Sequence, residues 1–379
     1  MSKTRFDQLE GLRGVAAIAV LVQHCLEFTP LNAAGNDSWA ARVFQESFNL
    51  GRVGVIVFFL ISGFLIPHSL KPGTRPLAKF AVSRFFRLYP LYWVSLAAAL
   101  AIFPLLIPTD FTTQQVAANV TMVTPLFGQE YVISLYWTLF VEMLFYGLCA
   151  ALFAVGLLHA RQFIARGLIV AAVCAAAAIA VELALPPTRF DSPFEKLMTL
   201  GIYLLTMFAG YVLRMQYLGE IGGRVTAAAL AALATLLGLY CWTRGMHGGY
   251  DPLLSPVSVA ISTVTGFVVF YAVLHGNLLT QAVWRWLGAI SYGVYLFHAI
   301  TLKIAVHYFA PVESAGESLL LIASVLAASI AVAAPLYWLV ELPMIALGKR
   351  MRDRLDVARP RAPTIDGSEI PPTLPAKLL

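Results

Sequence analysis

The first apolar run of this chain, EGLRGVAAIAVLVQHCLE from Glu10 to Glu27, contains an arginine and a histidine where only apolar side chains are expected. A neutral imidazole accepts a proton near pH 7, which makes His24 the best candidate base in the chain, whereas Arg13 is a permanent cation. An α-helix turns about 100° and rises about 1.5 Å per residue. Eleven positions therefore place Arg13 and His24 on one stripe, about 20° apart around the axis and about 16 Å apart along it. They share a face but cannot touch. Each also has an ordinary reading. Arg13 can snorkel to the headgroups beside Glu10, and a lone buried histidine is often a satisfied structural residue. Cys25, about 100° further round, is read as packing rather than as a nucleophile.

Other polar groups stand where they are costly. An ionisable side chain at membrane depth costs about 2.5–3.5 kcal/mol on insertion scales, so it must face the bundle interior or water. Glu142, in SLYWTLFVEMLFYG, sits about 15 Å from the outer end of its run and needs a buried cationic or histidine partner. In GVIVFFLISGFLIPHSL, the small residues Ser62 and Gly63 allow either close helix packing or the admission of a narrow ligand. Arg84 and Arg87, in KFAVSRFFRLYPLYW, are i,i+3 neighbours ahead of an aromatic belt. They read either as a positive anchor or as a clamp for phosphate groups. In WRWLGAISYGVYLFHAITLKIAVHY, Ser291, Tyr295 and His298 form a stripe with Tyr292 beside it and Lys303 beyond. Interhelical hydrogen bonding and a substrate path both account for that stripe. Glu341 and Pro343, in APLYWLVELPMI, read as structural.

The elements that must position these groups follow from composition. Of the 379 residues, 59% are hydrophobic and 12% charged, with a mean hydropathy of +0.78, which excludes an ordinary soluble protein. Apolar windows of about 17–25 residues predict an all-α polytopic helical bundle and argue against a β-barrel. Breaks at proline, glycine and charged clusters delimit ten spans, centred near Ala19, Leu60, Ala97, Phe145, Cys174, Leu205, Leu233, Gly266, Leu296 and Leu326. With the N-terminus placed in the cytoplasm, 19 lysines and arginines fall on the cytoplasmic side against 5 outside, so both termini are expected in the cytoplasm. This topology accounts for the formal charge of +6 without nucleic acid as a partner. No small-residue cleavage site follows the first run before Pro30, which is therefore read as a retained span. Residues 1–348 are expected to form the membrane domain, and residues 349–379 a basic, then proline-rich cytoplasmic tail without order. Cys25, Cys149, Cys174 and Cys241 fall in no CxxC or Cys/His spacing, so neither disulfides nor a metal site are expected.

In order along the chain, these segments resemble the acyltransferase 3 family of bacterial membrane enzymes. The resemblance rests on Arg13 and His24 within EGLRGVAAIAVLVQH, the FFLISGFL block, the Arg84–Arg87 pair leading into RLYP, WTLFVE, SYGVYLFH and VELP. Each motif is weak alone, whereas six in order on a ten-span chain are specific. The resemblance implies transfer of an acyl group, usually acetyl, from cytoplasmic acetyl-CoA or another acyl-CoA to a hydroxyl of an extracytoplasmic carbohydrate or small molecule. Acceptors would include lipopolysaccharide O-antigen and exopolysaccharide, and the site the bacterial inner membrane. It also implies a catalytic histidine at His24, an essential arginine at Arg13 and donor-phosphate contacts at Arg84 and Arg87. Many relatives carry a further hydrolase-like domain, and a stand-alone transferase is expected here. On that reading the pantetheine arm passes Arg13 and Ser62 to His24, with Glu142 or another buried acid orienting the imidazole, and Ser291, Tyr292 and His298 lining the path. Direct transfer and an acyl-histidine intermediate both remain open. The competing reading is a proton-coupled secondary transporter, in which the same buried charges form a relay.

Overall fold

The structure, a computed structural model of the chain, describes residues 6–32, 36, 38–43, 47–184, 193–247, 255–309 and 311–357. Among these, every regular element is helical. The longer helices are α1 (Asp7–Leu26), α3 (Leu50–Leu65), α4 (Pro76–Leu106), α6 (Trp137–Ala154), α7 (Arg161–Ala184), α8 (Pro193–Tyr217), α9 (Gly223–His247), α10 (Pro256–Gly276), α11 (Ala282–Phe309), α12 (Ala315–Leu336) and α13 (Leu342–Val357), with α2 (Trp39–Arg42) and α5 (Thr113–Val120) as short connectors. A hydrocarbon interior offers backbone groups no water, and an α-helix satisfies them within itself. Ten helical segments among the described residues are long and apolar enough to cross a membrane, and they coincide with the ten runs expected from sequence. Arg285, at the start of α11, donates to Asp7, at the start of α1, across 2.9 Å, so these two helices begin on the same side.

α1 is the inner post of the bundle. It lies against α11 on one side and α3 on the other, and α3 packs in turn on α8 and α10. Glycines set how close these helices come. A Cβ at Gly14 would lie 2.8 Å from the Gly288 amide nitrogen, and one at Gly288 would collide with the Glu10 carbonyl. Small residues let two backbones approach and gain dispersion contacts where lipid supplies no hydrophobic drive. The Ser62–Gly63 pair divides its labour: a Cβ at Gly63 would collide with the Met207 backbone of α8, whereas Ser62 faces a cavity inside the bundle. Gly63→Ala should therefore destabilise the bundle by about 1–3 kcal/mol through overpacking. The check is the unfolding midpoint of detergent-purified protein, and an unchanged midpoint would remove Gly63 from the α3–α8 contact.

Helix α4 has 31 residues and extends about 46 Å. The chain beyond it does not pass directly into the next span. Tyr89 OH donates to the Thr121 carbonyl (2.9 Å), Tyr92 OH to that of Asn119 (2.6 Å) and Trp93 Nε1 to that of Val120 (3.0 Å). Trp93 lies thirteen residues before the end of α4, so α5 and the residues after it fold back along that helix by about 20 Å. Asn119 anchors the returning strand of chain, donating to the Glu130 carbonyl and accepting from the Val132 amide. α6 then begins inside the bundle, where the Thr138 hydroxyl meets Tyr295 OH at 2.7 Å. Glu142 is only five residues, about 8 Å, beyond the start of α6. Its depth comes from the folded-back segment before α6, which apolar periodicity does not show.

The last span is continuous from Ala315 to Leu355 and begins at a capping box. The Glu317 amide donates to Ser314 Oγ at 3.2 Å, and the Glu317 carboxylate accepts from the Ser314 amide. Residues Tyr337–Glu341 form a π-helical turn between α12 and α13, flanked by Pro335 and Pro343. Proline removes ladder donors on both sides, and the widened turn rotates Glu341 inward. α13 continues past residue 348 to Val357 and packs on α4, with Gly348 against the Phe86 side chain. The first part of the expected tail is thus helical, and residues 358–379 lie outside the described residues.

Candidate functional site

One cavity of about 230 Å³ runs between α1, α3, α4, α6 and α11. Arg13, Ser62, Arg84, Arg87, Glu142, Ser291 and Tyr292, from five separate helices, all reach it. Arg13 feels the charges of Arg87, Glu142 and Glu341, and Arg87 is ion-paired with Glu341. Three guanidiniums against two carboxylates leave a formal excess of one positive charge. Arg84 lies 5.7 Å from the centroid of Phe80 and 5.8 Å from that of Tyr146, a cation–π setting, and its buried Nε has no hydrogen-bond partner. Its charge is accordingly the one least matched by a carboxylate. An anion entering this end would meet partly desolvated guanidiniums, where charge-assisted hydrogen bonds are stronger than in water.

Glu142 does not reach His24. One of its oxygens accepts from Ser62 Oγ at 3.0 Å and from Tyr146 OH at 2.6 Å, an i,i+4 partner on its own helix. Ser291 and Tyr292 spend their hydroxyls on the Gly288 carbonyl (2.7 Å) and the Leu88 carbonyl (2.9 Å), which fixes the α11 wall of the cavity.

His24 lies beyond the apolar end of the cavity, with its side chain 37% exposed. Its Nδ1 is 3.2 Å from Glu27 Oε2. A carboxylate only accepts, so Nδ1 carries the proton and Nε2 is left with a free lone pair, the arrangement of a base held by an acid. Its ring stacks on His298 with centroids 5.5 Å apart. His298 is fully buried and repeats the pattern: Nδ1 donates to the Tyr295 carbonyl at 2.7 Å, while Nε2 is unpartnered. Contacts between rings join the two regions, since Tyr295 lies 5.7 Å from His298 and 5.8 Å from Phe58 at the cavity wall. Lys303 stands further along α11, away from the cavity lining, and Cys25 is buried in the apolar core.

Of the nine residues given site roles from sequence, the structure gathers seven around one cavity, with Tyr295 of the polar stripe beside them, and places the other two, His24 and His298, in a stacked pair past its end. Three further participants are Glu27, Glu341 and Tyr146. Two had a usable sequence signal: Glu27 is three residues after His24 and Tyr146 four after Glu142, both on one helix face. Glu341 reads from the sequence as structural, and its pairing with Arg87 had no local signal, because the two are 254 positions apart. Among the described residues, no group of three or more His, Cys, Asp or Glu side chains is placed to hold a metal ion.

Comparison with known proteins gives a family match over most of the chain. Residues 6–338 match the model of the acyltransferase 3 family, described as an acyltransferase domain. Among relatives, an exopolysaccharide production protein of Rhizobium meliloti, ExoZ, is 28% identical over 83% of this chain and 95% of its own length. Nodulation protein 10 of Rhizobium leguminosarum is 26% identical over 78% of this chain and 83% of its own length. A Bacillus subtilis protein, YrhL, whose name proposes peptidoglycan O-acetyltransferase activity, is 25% identical over 82% of this chain and 50% of its own length. No solved structure matches the chain.

Proposed function

The chain belongs to the acyltransferase 3 family, and from that premise we propose that it moves an acyl group, acetyl in the first instance, from cytoplasmic acyl-CoA to a hydroxyl of an extracytoplasmic polysaccharide. The observation that carries the reading is the cavity itself, cationic at one end and led by contacting rings to His24 at the other. The polysaccharide acceptor is suggested by the names of the relatives, and the bacterial inner membrane by the topology, with both termini in the cytoplasm. Membership of an acyltransferase family leaves the transporter reading without support.

Arg84 and Arg87 would hold the phosphates of the donor, with Glu341 giving up part of its hold on Arg87 as they bind. The slender arm would extend past Arg13 and Ser62 toward Tyr295. His24 Nε2 takes the proton of the acceptor hydroxyl as its oxygen attacks the thioester carbon. The new C–O bond forms, the C–S bond breaks, and the proton passes from the imidazolium to the departing thiolate. Glu27, rather than Glu142, holds the imidazole in the required tautomer and steadies its positive charge. Glu142, tied to Ser62 and Tyr146, instead balances Arg13 along the path.

The test is direct. Membranes containing the chain are supplied with labelled acetyl-CoA and the envelope glycan is analysed by mass spectrometry. Ester-linked label that depends on the chain supports the function, and its absence refutes it. Glu27→Gln keeps the shape but removes the carboxylate that fixes Nδ1–H, and should lower kcat about 10–10³-fold with little change in donor KM. Full activity in that variant would transfer the orienting role elsewhere.

A further inference from the structure

One residue at the apolar end of the cavity stands out by its surroundings. Phe58 is only half-buried, yet it packs against all three of the separate apolar clusters that make up the core. A ring touching the core on three sides inside a bundle has one direction left for its free surface, and Phe58 lines the cavity. Its edge meets Tyr295 at 5.8 Å with the rings 72° apart, and Tyr295 is the ring that next touches His298. The two members of this contact are held differently. Tyr295 OH is pinned to Thr138 (2.7 Å) and to the Leu135 carbonyl (3.2 Å), whereas Phe58 is held by apolar packing alone. Its chain neighbour Phe59 also borders the cavity, but it is buried and packed into an aromatic group with Trp137 and Tyr203 rather than against Tyr295.

We propose that Phe58 sets the size of the acyl group the protein transfers. Resting on the assigned acyl-CoA donor, the inference is that the Phe58 ring, closed against Tyr295, leaves room between the cavity and the His24–His298 pair for an acetyl group and excludes longer chains. A hydrophobic pocket discriminates about 10–200-fold for one methylene, so a single ring at this point suffices to separate acetyl from butyryl.

The experiment supplies labelled acetyl-, butyryl- and octanoyl-CoA separately to membranes containing the full chain, Phe58→Ala or Phe58→Leu, and scores label in envelope glycan per inserted protein. The unaltered chain is expected to use acetyl-CoA with at least tenfold preference over butyryl-CoA. Phe58→Ala should raise the butyryl-to-acetyl ratio at least tenfold, with Phe58→Leu, the less disruptive change, shifting it in the same direction. A ratio unchanged in both inserted variants overturns the proposal, as does an unaltered chain that accepts all three donors equally. Transfer from none of the three by the unaltered chain would instead refute acyl-CoA as donor, and with it the functional reading on which this inference rests.

Discussion

Replacing His24 with alanine should lower acyl transfer by about 10²–10⁴-fold, the range associated with a positioned general base, while leaving the protein inserted and folded. The expectation of an intact fold comes from burial: the His24 side chain is 37% exposed, and the ion pair it gives up, with Glu27, is itself partly in contact with solvent. Pairs of that kind add at most about 1 kcal/mol to stability. The donor end of the cavity should not notice the change, because Arg84 and Arg87, which would hold the phosphates, line the cavity together with Arg13, itself about 16 Å from His24 along α1, whereas His24 does not line it. The loss should therefore fall on kcat, with donor KM near its original value, as measured by label transferred from acetyl-CoA at varied donor concentration. Unchanged transfer would remove His24 from the chemistry. A raised KM with unchanged kcat would make it a binding residue instead.

The second large effect is expected at Glu341, which is 2% exposed and ion-paired with Arg87. Glu341→Gln leaves the partly buried Arg87 near Arg13 without its opposite charge; breaking one side of a fully buried pair costs about 3–5 kcal/mol, and the 23% exposure of Arg87 places the cost here below that range. The unfolding midpoint in detergent should fall accordingly. Replacing both partners, Arg87→Met with Glu341→Met, removes the uncompensated charge and should recover most of that stability. The double variant then separates two roles for Arg87. If it contacts the donor phosphates, the repacked protein regains its midpoint but shows a raised acyl-CoA KM. If both midpoint and KM return, Arg87 serves the fold alone and the phosphate role rests on Arg84, whose Nε is buried without a partner.

What the chain alone made legible was what the bilayer demands of every segment. Spans of suitable length and apolarity must be helices, so the all-α bundle and its ten spans could be counted from composition and breaks. Polar side chains in such spans are expensive wherever they occur, so Arg13, Ser62, Arg84, Arg87, Glu142, Ser291 and Tyr292 could be singled out before it was known that they converge. Helix geometry likewise placed Arg13 and His24 on one stripe. Pairing was another matter, because it depends on which helices touch. Whether Ser62 or Gly63 faces the interior is decided by the Met207 backbone on α8, and the partner of Arg87 lies 254 residues away at a π-turn. Glu142 owes its depth to a segment folded back along α4, and its contacts to Ser62 and Tyr146 rather than to His24. The residues with chemical capacity were thus set by local cost, which each segment carries by itself. Their partners were set by helix packing, which brings distant segments together and which no single segment encodes.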